Sequence, residues 1–199
     1  MKKILHVISS ARGEASVSTK LSGNIIEKLK ARFPGSTVTT RNLVADKYPH
    51  LEESHLNAFF APAESETPVY REAIRHSNDA IREVQEADII VIGVPIYNFN
   101  VPSALKAWID HLVRAHKTFA YKNGHPEGLL KGKKVYLSIA SGGVFSEGVM
   151  KPHDYAEPYL RFILGFIGLT DISTFRAEGL AIPGVQETAL QKGIESVAV

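Results

Sequence analysis

Cysteine is absent from all 199 residues of the chain. That absence removes disulfide staples, thiolate metal sites and cysteine nucleophiles, and it suits a reducing cytoplasm, the expected location. Long apolar runs are missing too. The opening run Ile4 to Ile8 is interrupted by His6 and soon followed by Arg12. A secretory core needs roughly 7–15 apolar residues, and a membrane-spanning helix roughly 20. The segment therefore reads as a strand rather than a signal. Neither sign of charge dominates: 23 Lys and Arg against 21 Asp and Glu give a formal net charge of +2. With the two signs interspersed, no footprint for nucleic acid or a membrane surface is legible. The eight histidines are scattered, without a HExxH pair or a carboxylate–histidine cluster, so no metal site is expected. What is present, 44% hydrophobic and 22% charged residues, is the composition of an ordinary globular protein. Its length suits one domain over residues 1–199.

The hydrophobic pattern alternates between two periods. Ile4-Leu5-His6-Val7-Ile8 reads as a buried central strand. Val17, Leu21, Ile25, Leu29 and Phe33, spaced by four, form a helix stripe ended by Pro34-Gly35. Thr37 to Leu43 gives a second strand. Val44 to Glu66 shows no sustained period and is expected to be a long functional loop. Thr67-Pro68 caps a helix reaching about Glu86, with Val69, Ala73, Ile81 and Val84 inward. Ile89 to Gly93 is the third strand, followed by a helix from about Ser103 to Ala115. Lys134 to Ala140 is the fourth strand. The series Tyr155, Tyr159, Phe162, Ile163, Phe166 marks a helix closed by Gly168, Ile172 to Arg176 the fifth strand, and Val185 to Val197 a last helix. Alternating β and α elements with long right-handed crossovers require a doubly wound α/β domain. The expected sheet is parallel and five-stranded, with helices on both faces.

In such sheets ligands bind beyond the carboxyl ends of the strands, where strand order reverses. Three segments fall there. After the first strand, Ser10, Arg12, Ser16, Val17 and Ser18 open a helix whose unpaired N–H groups favour a phosphate. Taken alone, a helix cap is the commoner use of Ser16 or Ser18. The segment is neither a Walker loop nor a dinucleotide fingerprint. After the third strand, Ile96, Tyr97, Asn98 and Phe99 offer rings and an amide to the face and edge of a flat ligand, or simply cover the sheet end. After the fourth, Ala140, Ser141, Gly142 and Gly143 read as a turn that also permits close backbone approach.

Ser10, Ser16-Val17-Ser18, Pro95-Ile96-Tyr97-Asn98-Phe99, Pro102-Ser103-x-Leu105-Lys106, Thr118-Phe119-x-Tyr121, Gly142-Gly143, Phe162-x-x-x-Phe166-Ile167-Gly168 and Ala177-Glu178-Gly179 together resemble the FMN-dependent NADH azoreductases. These belong to the flavodoxin-like quinone reductase superfamily, which implies a single flavodoxin-like α/β domain with sheet order 2-1-3-4-5. The resemblance runs essentially end to end, and its most specific part is the Tyr-Asn-Phe stretch with the Leu-Lys helix behind it. It implies a homodimer holding FMN, with the phosphate on Ser10, Ser16, Val17 and Ser18. The isoalloxazine would contact Ile96, Tyr97, Asn98 and Phe99 on one side and Ala140 to Gly143 on another. The family often has Met at position 96 and Arg at position 141, where this chain has Ile96 and Ser141.

The implied activity is NAD(P)H:quinone and azo-compound oxidoreduction, with hydride passing in ping-pong fashion through the flavin. NADH is the expected donor, and NADPH stays open because no 2′-phosphate site is legible. Quinones and azo compounds are the expected acceptors, and no protein residue is assigned as an obligatory catalytic acid. Phe119, Tyr121, Phe162 and the Phe59-Phe60 pair are the expected walls of the substrate slot, although the helix stripe favours core packing for Phe162. Two alternatives share the fold: an FMN electron carrier, against which the near-neutral charge counts, and a reductase of nitroaromatics.

Overall fold

The computed structural model describes residues 1–62 and 67–199. The first half of the chain forms β1 (Lys3–Ile8), α1 (Val17–Arg32), β2 (Thr37–Asn42), α2 (Glu53–Phe60), α3 (Pro68–Glu86) and β3 (Ile89–Pro95). Then come α4 (Ser103–Leu112), the short strands β4 (Phe119–Lys122) and β5 (His125–Gly128), and β6 (Lys134–Ala140). The chain closes with α5 (Ala156–Phe166), β7 (Asp171–Ala177) and α6 (Gln186–Ser196).

Five strands pair in parallel in the order β2-β1-β3-β6-β7. This is the expected 2-1-3-4-5 arrangement, with β6 and β7 as the fourth and fifth strands. Its period-2 alternation serves two cores, because both faces are covered. Leu5, Val7, Ile90, Ile92, Val94, Leu137 and Ile139 face one way, onto Ile81 and Val84 of α3, Trp108 of α4, and Leu160 and Leu164 of α5. Ile4, Ile89, Val91 and Tyr136 face the other way, onto Leu21, Ile25 and Leu29 of α1 and Val197 beyond α6. Strand order reverses between β1 and β3, which places the loops after these two strands on either side of one crevice.

The structure corrects the sequence reading in four places. The expected loop 44–66 contains α2, capped by a reciprocal Glu52–His55 box. It docks through His55, whose ring lies 5.1 Å from that of His111, and through Phe59, over which the Arg114 guanidinium sits at 5.5 Å. Residues 63–66, the end of that expected loop, lie outside the described residues. The crossover from α4 to β6 carries an antiparallel hairpin, β4–β5, that the βα pattern omits. Val69 is not inward but 76% exposed: it stands in the first turn of α3, before the buried series Ile74, Ser77, Ala80, Ile81 and Val84 begins. On α5 the buried stripe is Ala156, Leu160 and Leu164. Phe162, two residues from Leu160 and so about 200° around the helix, is 71% exposed rather than in the core.

Candidate functional site

The first loop is built by a helix cap. Ser16 precedes α1, and its Oγ accepts from Thr19 N at 3.1 Å and from Thr19 Oγ1 at 2.9 Å. Lys20 N donates to Ser16 O. The N–H groups of Val17 and Ser18 are left with no acceptor inside the helix. The Ser16 and Ser18 hydroxyls lie 3.1 Å apart, and both residues are buried. One hydrogen suffices for that bond, so the pair retains one O–H for a ligand. The capping role expected of a serine here is thus held by Ser16.

α1 is brought down to the sheet at this end. Ser138 Oγ on β6 donates to Ser18 O at 2.9 Å. A Cβ on Gly93 of β3 would lie 3.4 Å from Ser22 Oγ and 3.5 Å from Ser18 O, so the strand there has room for a methyl at most. Beneath α1, His6 Nε2 pairs with Ser22 Oγ at 2.8 Å, and burial lowers the imidazole pKa to about 4. It is a neutral structural side chain at ordinary pH.

The second loop turns sharply. Tyr97 and Asn100 exchange backbone hydrogen bonds of 3.0 and 3.1 Å across Asn98 and Phe99, whose φ angles are 48° and 68°. Two successive positive φ values form the tight turn that glycine and asparagine favour, and phenylalanine does not. Tyr97 OH lies 3.2 Å from Ser10 Oγ, which also accepts from Arg12 N at 3.3 Å, so the first and second loops are joined. The third segment is joined to the second by Ile96 N donating to Ala140 O at 2.8 Å. It is also tied to the chain beyond β7, through Leu180 N to Ser141 O and Ala181 N to Gly142 O. Ser141 is buried, and its hydroxyl closes the turn by donating to Gly143 O at 2.8 Å.

Ser10, Arg12, Ser16, Val17, Ser18, Pro95, Ile96, Tyr97, Ala140, Ser141, Gly142, Leu180 and Ala181 line one cleft of about 180 Å³. Its α1 end is hydroxyl and N–H; its far end is apolar. Arg12 supplies the charged side chain of this lining. A wider groove of about 810 Å³ adjoins it, sharing Tyr97 and lined by Asn98, Asn100, Val101, Pro102, Ser103, Lys106, Tyr155 and Tyr159. Burial pushes the Tyr159 phenol up to about 12, so it stays a hydrogen-bond donor.

Of the expected cofactor residues, the cleft thus collects Ser10, Ser16, Val17, Ser18, Ile96, Tyr97, Ala140, Ser141 and Gly142, and Asn98 stands in the groove next door. Phe99 and Gly143 line neither; the Phe99 ring meets Phe145 edge-on at 6.0 Å, and Gly143 backs onto the same ring. The expected substrate residues are dispersed over elements. Phe119 packs between Tyr121 and Phe166 at the hairpin, while Tyr121 (67%), Phe162 and Phe60 (78%) are exposed. Sequence reasoning passed over Leu180 and Ala181. Only the ends of three strands were read as ligand loops, and these two residues follow β7.

A model of the flavodoxin-like fold matches residues 2–198, and the chain belongs to that family. Over 182 residues it is 49% identical to the FMN-dependent NADH:quinone oxidoreductase of Herminiimonas arsenicoxydans, an alignment covering 92% of this chain and 89% of that one. Among solved structures, the azoreductase of Bacillus anthracis str. Sterne superposes with a TM-score of 0.90 at 32% identity, covering 98% and 96% of the two chains. An FMN-dependent NADH-azoreductase from Bacillus anthracis str. Ames Ancestor, solved in complex with FMN, superposes at 0.85 with 27% identity over 98% and 95%.

Proposed function

We propose that the protein is an FMN-dependent NADH:quinone and azo-compound oxidoreductase, a single-domain cytoplasmic enzyme acting as a homodimer. The observation that carries this reading is the convergence of three loops on one sheet edge, donor-rich at the α1 end and aromatic at the other. The donor set fits FMN. The N–H groups of Val17 and Ser18, the spare hydroxyl of the Ser16–Ser18 pair, Ser10 and Arg12 suit a dianionic phosphomonoester. Pro95, Ile96, Leu180 and Ala181 suit the apolar body of a ring system, and Asn98 its polar edge. The names of the relatives, FMN-dependent among them, support the same assignment.

When bound, FMN would supply two-electron hydride chemistry between NADH and a quinone or an azo compound. The chain's own part is to hold and orient. The α1 end anchors the charged tail, and the 97–100 turn fixes an amide and a ring at the mouth. The groove bounded by Tyr155 and Tyr159 is the place for flat aromatic molecules. The homodimer is what the family resemblance implies. NADH is taken as the donor; comparing initial rates with both nicotinamides decides on NADPH.

Purified protein should be yellow, release FMN on denaturation, and oxidise NADH many-fold faster when a quinone is added. FMN bound without NADH-dependent turnover would instead identify an electron carrier, and failure to take up FMN would refute the reading.

A further inference from the structure

Behind the site stands a buried ionic cluster that the cofactor assignment leaves unused. Arg176, near the end of β7, has a side chain only 13% exposed and meets three carboxylates. Its Nη1 donates to Glu178 Oε1 at 3.0 Å and its Nε to Glu157 Oε2 at 3.1 Å, while Nη2 donates to both Asp154 and Glu157. Burial alone would lower the guanidinium pKa, but the bonds to Glu157 and Asp154 outweigh it and the net direction is upward. Such a cluster is costly to bury, and replacing its members with apolar side chains is often neutral or better for stability. Its geometry therefore calls for another account.

Two of the three carboxylates reach segments that adjoin the candidate site, while the third, Glu157, also accepts from Thr174 and Arg161. Glu178 accepts from Phe145 N at 2.8 Å, from Ser146 N at 3.1 Å and from the Ser146 hydroxyl, which fixes the segment following Gly142-Gly143. Phe145 is buried and touches Phe99 edge-on, against the strained turn. Asp154 accepts from Ala156 N and Glu157 N, both at 3.1 Å, and so caps α5 immediately beside Tyr155, a wall of the wider groove. One guanidinium therefore ties the Phe145–Phe99 pair to the Tyr155 end of α5.

We infer that Arg176, through Glu178 and Asp154, is a positioning residue for the ring end of the cleft, holding the Phe145–Phe99 pair that backs the 97–100 turn in register with Tyr155 of the groove that receives a flat acceptor. This inference rests on the proposed FMN reading. The α1 cradle lies outside the cluster's hydrogen bonds, so cofactor anchoring and acceptor reception should separate.

Glu178→Gln keeps size but loses the charge and one acceptor oxygen; Arg176→Lys keeps the charge but cannot span three carboxylates. Three quantities decide: FMN affinity by titration of apoprotein, visible circular dichroism of the bound flavin, and KM against kcat for a quinone. The expected result for both variants is an FMN Kd within about threefold of the parent, an altered flavin dichroism and a quinone KM raised about fivefold or more. If Arg176→Lys fails to fold, Glu178→Gln decides alone. Superposable dichroism with unchanged KM would overturn the inference, as would FMN affinity and melting temperature falling together with KM unchanged. Parent protein that binds no FMN would overturn the functional reading itself, and that result precedes any variant.

Discussion

Asn98 and Phe99 sit side by side at φ 48° and 68°, a backbone region that costs an ordinary L-residue about 1–2 kcal/mol. Asparagine tolerates it best after glycine, so position 98 can be tested without confusing side chain and backbone. Asn98→Gly keeps the turn and removes the amide; Asn98→Ala removes the amide and adds about 1 kcal/mol of strain. Both should weaken FMN about tenfold by equilibrium titration, while chemical denaturation finds only the alanine variant destabilised. A glycine variant with full affinity would show that the amide does not contact the cofactor. At this scale residue type was legible and conformation was not. The order Tyr-Asn-Phe announces rings and an amide after a buried strand, but nothing in it reveals the two positive φ values. Nor does a serine at 141 reveal that its hydroxyl is already committed to Gly143 O.

Elements were legible in proportion to their length and period. β3, with all seven residues buried, and the α1 stripe announce themselves. α2 does not. Eight residues make little more than two turns, Phe59-Phe60 blurs the period, and its cap is a Glu–His pair rather than the usual Ser/Thr/Asp/Asn. The hairpin strands have four residues each, with Pro126 inside the second. The signal that could have found them is Asn123-Gly124, whose φ values of 53° and 79° make the two-residue turn. The hairpin is held by backbone against backbone. A Cβ on Gly128 would fall 2.1 Å from Gly168 N and 2.4 Å from Ile167 C, and neither can rotate away. Gly128→Ala must therefore lift the hairpin from the end of α5 and break Leu130 N to Ile167 O. The expected cost is about 2–3 kcal/mol, in the range of overpacked cores. Hydrogen exchange should find the Leu130 amide deprotected while β3 and β6 stay slow. Unchanged protection would show that the close approach relaxes without undocking.

For the molecule as a whole, the doubly wound topology follows from alternation of apolar strands and helices, because a parallel sheet covered on both faces leaves few other arrangements. Hydrophobic patterning cannot reveal which polar groups the covered faces trap, and here they trap a histidine. Burial lowers the His6 pKa from 6.5 to about 4, and it also lowers those of His111 and His76. The consequence has a definite sign. Between pH 6.5 and about 4 the unfolded chain binds a proton at His6 that the folded chain refuses. Stability is therefore full above pH 6.5 and declines as pH falls toward 4, where the folded histidine also protonates and the loss levels off. For His6 the difference is worth about 1.4 kcal/mol per pH unit over that window, so it alone should remove about 2 kcal/mol between pH 7 and pH 5. That is a large share of a domain's usual 5–15 kcal/mol, and it starts the acid limb above the carboxylate range. His6→Gln retains a nitrogen donor for Ser22 Oγ but cannot titrate, so its denaturation free energy should fall about 2 kcal/mol less over the same interval. Parallel profiles for the two proteins would mean that His6 takes up its proton without penalty inside the fold.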